Sequence, residues 1–139
     1  MKGKQLLSIL LISMMIIIGC TKNDDDDDHE YVPDDVVAPV IEITTPTENQ
    51  VFSNNSTINI TGKVTDDKGL YRGSIRITND ANGSLLKEQL YEIHGVLSYS
   101  FSLPYQVATT AVSDYTITVH FEDHGTNKTS KLVKIKVNP

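Results

Sequence analysis

From Ala38 onward, apolar and polar residues alternate with a period of two. This is the pattern of strands whose side chains point by turns to a core and to water. Val40–Thr44 reads as a first strand, closed by Pro46 and the polar stretch Thr47–Gln50. Thr57–Val64 alternates cleanly and assigns Ile58, Ile60, Gly62 and Val64 to the core. Asp66-Asp67-Lys68-Gly69 is a turn, with Gly69 suited to a positive φ. Leu70–Thr78 is the next strand, followed by a turn at Asn79–Gly83. Leu85–Ile93 has helical propensity in Leu85–Leu90, but its neighbours favour an edge strand. Leu97, Tyr99, Phe101 and Leu103 then alternate up to Pro104, and residues 105–112 form a longer connection. Tyr115, Ile117, Val119 and Phe121 make a sixth strand, and Leu132, Val133, Ile135 and Val137 a seventh. No segment has the length or caps of a helix, so the fold class is all-β, an antiparallel sandwich of about seven strands.

The N-terminus has a different pattern. Lys2 and Lys4 precede a run from Leu6 to Ile18 that is apolar except for Ser8 and Ser13, ending in Gly19-Cys20. This is the layout of a secretory signal and is shorter than the ~20 apolar residues of a comfortable membrane span. The other reading of residues 1–19 is an uncleaved anchor helix. Ile17-Ile18-Gly19-Cys20 resembles the bacterial lipobox. The resemblance implies lipid attachment at Cys20: a diacylglycerol thioether on the thiol, cleavage before the cysteine, and acylation (palmitate) of the new amino group. Several chains are needed because a single one binds a membrane only marginally.

Charge sharpens this division. The 139 residues carry a net charge of −6. Residues 1–19 hold two lysines and no acid, whereas residues 20–37 hold one lysine against eight acids. Residues 38–139 are near neutral, with nine basic and ten acidic side chains. The block of five aspartates at Asp24–Asp28 repels itself and has nothing apolar to bury, so residues 20–37 read as a disordered, solvated tether. A lysine and then an acidic run after the cysteine (Lys22, Asp24, Asp25, Asp26) resembles the surface-export signal of Bacteroidetes-type lipoproteins. That resemblance implies an outer-membrane, lipid-anchored protein facing the cell exterior; the plainer alternative is an acidic spacer facing the periplasm. No basic stripe is present, which argues against a nucleic-acid partner. One cysteine excludes a disulfide framework and a Cys-rich zinc site.

Within residues 38–139, Pro39–Pro46, Ile58–Leu70 and Asp114–Asn127 look like a bacterial Ig-like domain. In that pattern the tyrosine, here Tyr115, packs at a corner, and the Asp-x-Gly-x-Asn stretch at 123–127 is the last hairpin turn. With the lipobox and tether, the chain is similar to a family of Bacteroidetes lipoproteins known as a domain of unknown function. The Cys…Trp…Cys hallmarks of antibody domains are absent.

Candidate chemistry is sparse. The turns carrying Asp66 and Asp67, His94 and Gly95, and Asp123 and His124 should gather at one end of an Ig-like sandwich. Asp66, Asp67, His94, Asp123 and His124 are therefore the candidate ligands of a divalent cation: oxygens suit calcium, and added imidazoles suit zinc. The plainer reading is that Asp and His serve there as turn formers. His120 has the parity opposite to the core residues and should face solvent with Thr118 and Glu122. Tyr71, Tyr91, Tyr99 and Tyr105 are candidate stacking platforms for a glycan, or else half-buried packing residues. No nucleophile elbow, His-Glu-x-x-His or glycine-rich phosphate loop occurs. The expectation is a non-catalytic binding, adhesion or assembly module whose partner is the membrane through its lipid and an unidentified surface protein or glycan. The alternatives are a metal-binding lipoprotein and, more weakly, a glycan-binding accessory protein.

Overall fold

The computed structural model describes residues 34–139. The signal at 1–19, Cys20, and Lys22, Asp24, Asp25 and Asp26 lie outside the described residues. Eight strands follow: β1 Val40–Thr45, β2 Gln50–Ser53, β3 Thr57–Thr65, β4 Leu70–Asn79, β5 Leu85–Glu92, β6 Ser98–Gln106, β7 Ser113–Asp123 and β8 Lys128–Asn138. They form two sheets, ordered β1-β3-β6 and β2-β8-β7-β4-β5. Among the described residues no helix is long and apolar enough to cross a membrane.

The two sheets close on one core because each strand offers one apolar parity inward. Ile58, Ile60 and Val64 of β3, Ile75 and Ile77 of β4, Ile117, Val119 and Phe121 of β7 and Val133, Ile135 and Val137 of β8 are all buried. Phe101 of β6 and Phe121 of β7 stack between the sheets with centroids 5.9 Å apart. Each ring lies over a glycine on the neighbouring strand: Phe101 is registered against Gly62, and Phe121 against Gly73. Tyr115 is buried and donates its hydroxyl to the Ala108 carbonyl at 3.4 Å, tying the start of β7 to the preceding connection.

The eighth strand, β2, departs from the expected seven. Gln50-Val51-Phe52-Ser53 has little apolar signal, and Val51 is 56% exposed. Its pairing is tertiary: it lies parallel to β8, from Gln50 opposite Ile135 to Ser53 opposite Asn138. The chain breaks after β1 at Pro46 and turns through Asn49 (φ 61°), so β1 joins one sheet and β2 the other. Pro104 does not end β6; it sits opposite Asn59 within the strand. β6 is an edge strand, where a missing N–H need not interrupt a ladder. Leu97, which begins the alternation up to Leu103, and Leu132, grouped with Val133 in the last strand, are 55% and 57% exposed. Leu97 precedes β6, and Leu132 has the parity opposite to Val133. The ambiguous segment 85–92 is the edge strand β5, paired only with β4 and carrying Lys87, Glu88 and Glu92, charges that discourage further pairing.

Candidate functional site

The 66–69, 93–97 and 124–127 turns meet at the end of the sandwich where the chain enters it. Backbone bonds hold them together: Gly95 N–H donates to Leu70 O (2.8 Å), Leu70 N–H to Val96 O (2.9 Å), and His124 N–H to Gly69 O (3.1 Å). Gly69 adopts φ 140°, a backbone conformation that residues with a side chain rarely take, and so permits the tight turn that places it beside Gly95.

Each acidic residue in these turns first organises its own backbone. Asp66 Oδ2 accepts from the N–H groups of Lys68 (3.1 Å) and Gly69 (2.7 Å). Asp123 Oδ1 accepts from Asn127 N–H (2.8 Å), and Asp123 Oδ2 from the Asn127 side-chain amide (2.9 Å). To this extent the aspartates are the turn formers that their residue type suggests.

The segment before β1 joins the same end. Lys68 Nζ donates to Asp34 O at 2.6 Å, and Asn127 Nδ2 donates to Asp35 O at 3.1 Å. Gly125 leaves room for this contact, since a Cβ there would lie 2.6 Å from Asp35 Cβ. Asp35, assigned by composition to the tether, is therefore only 5% exposed. Its Oδ1 accepts from Val37 N–H at 3.2 Å. Asp35, Asp66 and Asp123 each offer a carboxylate oxygen, and these lie within 4.8 Å of one another. Two buried oxygens of this group, Asp35 Oδ2 and Asp66 Oδ1, have no hydrogen-bond partner.

The structure thus brings Asp66 and Asp123 of the expected ligands together and adds Asp35. The other three stand outside this carboxylate group. Asp67 is exposed. His94 and His124 pack their rings around Tyr71, with centroids 5.0 Å from it and 5.7 Å from each other. His94 Nε2 also lies 3.6 Å from Glu92 Oε2. Nothing local in the sequence singles out Asp35. Its role depends on packing against a turn about ninety residues away.

The neighbouring sheet face is an ion-pair surface. Glu122, expected at the solvent face, is 6% exposed and pairs with Arg72 Nε (3.1 Å) and Lys128 Nζ (3.8 Å). The hydrogen bond and charge of Glu122 raise the Arg72 pKa further, and its guanidinium lies 4.9 Å from the centre of the Tyr71 ring. His120 is half-buried, with Nδ1 2.9 Å from Ser130 Oγ. Tyr91, Tyr99 and Tyr105 are half-buried against the core, the first two 5.8 Å apart edge to face. At the opposite end, a cleft of about 510 Å³ is lined by Asn54, Leu86, Thr109 and Tyr115, with other small polar residues.

Several solved structures are similar to this one. The fibronectin(III)-like modules of Clostridium thermocellum CbhA match at 22% identity and a TM-score of 0.47, over 74% of this chain and 48% of theirs. The sporulation control protein Spo0M of Bacillus subtilis matches at 10% identity and a TM-score of 0.52, over 75% and 51%. The sulfur carrier protein SoxY of Chlorobium limicola matches at 17% and 0.46, over 74% and 81%. The chain spans about half the length of the first two. No curated protein matches the sequence at a significant level. Residues 39–132, which include β1 to β7 and the turns just described, match the bacterial Ig domain family, and the chain belongs to that family.

Proposed function

We propose that this protein is a lipid-anchored, non-catalytic Ig-like module displayed on the outer face of the outer membrane, where it binds or assembles with another surface component. Acyl chains on Cys20 hold the membrane, Lys22, Asp24, Asp25 and Asp26 direct export, and residues 21–33, ahead of the docked Asp34 and Asp35, give reach. The observation that carries the reading is the polarity of the sandwich. Asp35 enters beside the 66–69 and 123–127 turns, while β8 runs away from that end for eleven residues to Asn138. The membrane-side end is therefore the carboxylate end. The far end presents the Asn54, Asn79–Ser84 and Thr109–Ala111 segments to the medium. The packing of Tyr91, Tyr99 and Tyr105 against the core favours a protein partner over a stacked glycan.

Metabolic labelling with a palmitate analogue tests the anchor: label should enter the parent chain and be absent from Cys20→Ser. Protease shaving of intact cells tests display, and complete protection would place the module on the periplasmic side. A crosslinked pull-down from outer membranes identifies the partner. Recovery of glycan alone would overturn the preference for a protein.

A further inference from the structure

We propose that Asp35, Asp66 and Asp123 form a binding site for a hard divalent cation, Ca²⁺ before any other, that fastens the base of the tether to the sandwich. Three carboxylates converge at a largely buried point, with oxygens mutually within 4.8 Å. Among the described residues no lysine or arginine pairs with any of them; Lys68, in the same turn as Asp66, gives its ammonium to the Asp34 carbonyl. Asp35 is 95% buried, yet its Oδ2 has no hydrogen-bond partner, and neither has the buried Oδ1 of Asp66. Buried carboxylate oxygens are normally satisfied, and like charges this close repel. A cation at their centre answers both conditions.

The donor set selects the ion. All three ligands are carboxylates, which suits a hard cation, whereas the imidazoles that would favour zinc are turned to Tyr71. Ligand distances of about 2.3–2.6 Å around Ca²⁺ allow opposite oxygens up to about 5 Å apart, so three oxygens within 4.8 Å of one another fit such a shell. Mg²⁺ gives up its waters reluctantly and demands near-ideal octahedral geometry, which suits an all-carboxylate cluster less well. The remaining oxygens are held as good ligands require: Asp66 Oδ2 by two backbone N–H groups, Asp123 by Asn127, and Asp35 Oδ1 by Val37. Three carboxylates leave several of the six to eight calcium positions for water. The eight acids of residues 20–37 concentrate cations at this end. A bound ion would link residue 35 directly to residues 66 and 123, making the last residues of the tether part of the rigid body.

The test uses the full-length chain in detergent, stripped with EDTA. Calorimetric titration with CaCl₂ should show one site, and Ca²⁺ at a hundredfold excess over its Kd should raise the melting temperature by about 10 °C. Asp35→Asn should lose affinity about tenfold or more, while Asp67→Asn and His94→Ala bind as the parent does. Without Ca²⁺, Asp35→Asn should melt at or above the parent, because it relieves carboxylate repulsion; this keeps loss of binding distinct from loss of fold. Superimposable melts in EDTA and Ca²⁺, or an Asp35→Asn variant with parental affinity, would overturn the proposal. A Zn²⁺-specific shift abolished by His94→Ala would overturn it in favour of an imidazole site.

Discussion

Phe121 of β7 lies over Gly73, its cross-strand partner in β4, so closely that a Cβ at residue 73 would press into the ring and approach the His120 carbonyl oxygen within 2.7 Å. Phe101 covers Gly62 in the other sheet in the same way, and the two rings stack on each other. Two glycines that would ordinarily weaken a strand here make room for a stacked aromatic pair between the sheets.

Gly73→Ala should therefore destabilise the domain by about 1–3 kcal/mol through overpacking. Gly62→Ala should cost at least as much, because the Glu42 backbone carbonyl stands in the way and cannot rotate aside. Gly83→Ala is the control: nothing lies within 4 Å of its Cβ, and only its φ of 69° opposes the change, by about 1 kcal/mol. The urea midpoint should be lowest for Gly62→Ala, next for Gly73→Ala, and nearest the parent for Gly83→Ala. Equal midpoints would show that the rings repack freely.

Asn127 ties the segment before β1 to the β7–β8 turn, donating to Asp123 and to the Asp35 carbonyl from one side-chain amide. Asn127→Ala should cost about 2–3 kcal/mol, the range for losing bonds to a charged, buried acceptor. It should also expose the segment before β1 to limited proteolysis ahead of global unfolding, which mass spectrometry of early fragments would detect.

Tyr91 carries a buried hydroxyl with no hydrogen-bond partner, and burial, with the nearby Tyr99, raises its pKa. Tyr91→Phe should leave the edge-to-face contact with Tyr99 in place and remove an uncompensated polar atom. The expected change is neutral to stabilising by about 1 kcal/mol, read by thermal or chemical denaturation. A clear loss of stability would mean that the hydroxyl is solvated in the native protein.

Asp80 accepts from Thr116 Oγ1 at 2.6 Å and from Lys134 Nζ at 2.9 Å, and the first of these does most to lower its pKa below the ordinary carboxylate value. A carboxylate with a depressed folded pKa stabilises above its unfolded pKa of about 3.9 and loses that contribution as pH falls through the folded value. The exposed site keeps the effect modest. The urea midpoint of the parent should therefore fall more than that of Asp80→Asn between about pH 5 and pH 2, whereas at pH 7 the variant should be the less stable. Parallel curves would show that Asp80 does not contribute to the acid sensitivity.

The strands from β3 to β8 were legible because alternation reports which face is buried. β2 was not legible: its four residues have little apolar pattern, and their strand conformation depends on a parallel partner more than eighty residues away. The convergence of the turns bearing Asp66, Asp123 and the two histidines followed from strand order alone. The division of labour among them did not follow, because packing against Tyr71 is a matter of side-chain direction.

By itself the amino-acid sequence determined the all-β class, the positions of most strands, the neutral body, and the apolar N-terminal run and acidic segment that precede it. These are local or compositional properties, written in neighbouring residues and in the spacing of apolar ones. Tertiary structure decided that β2 crosses to the second sheet, that glycines seat the core phenylalanines, and that Asp35 leaves the tether to join Asp66 and Asp123. Each of these depends on atoms far apart in the chain, whose approach is set only when the two sheets close on a common core.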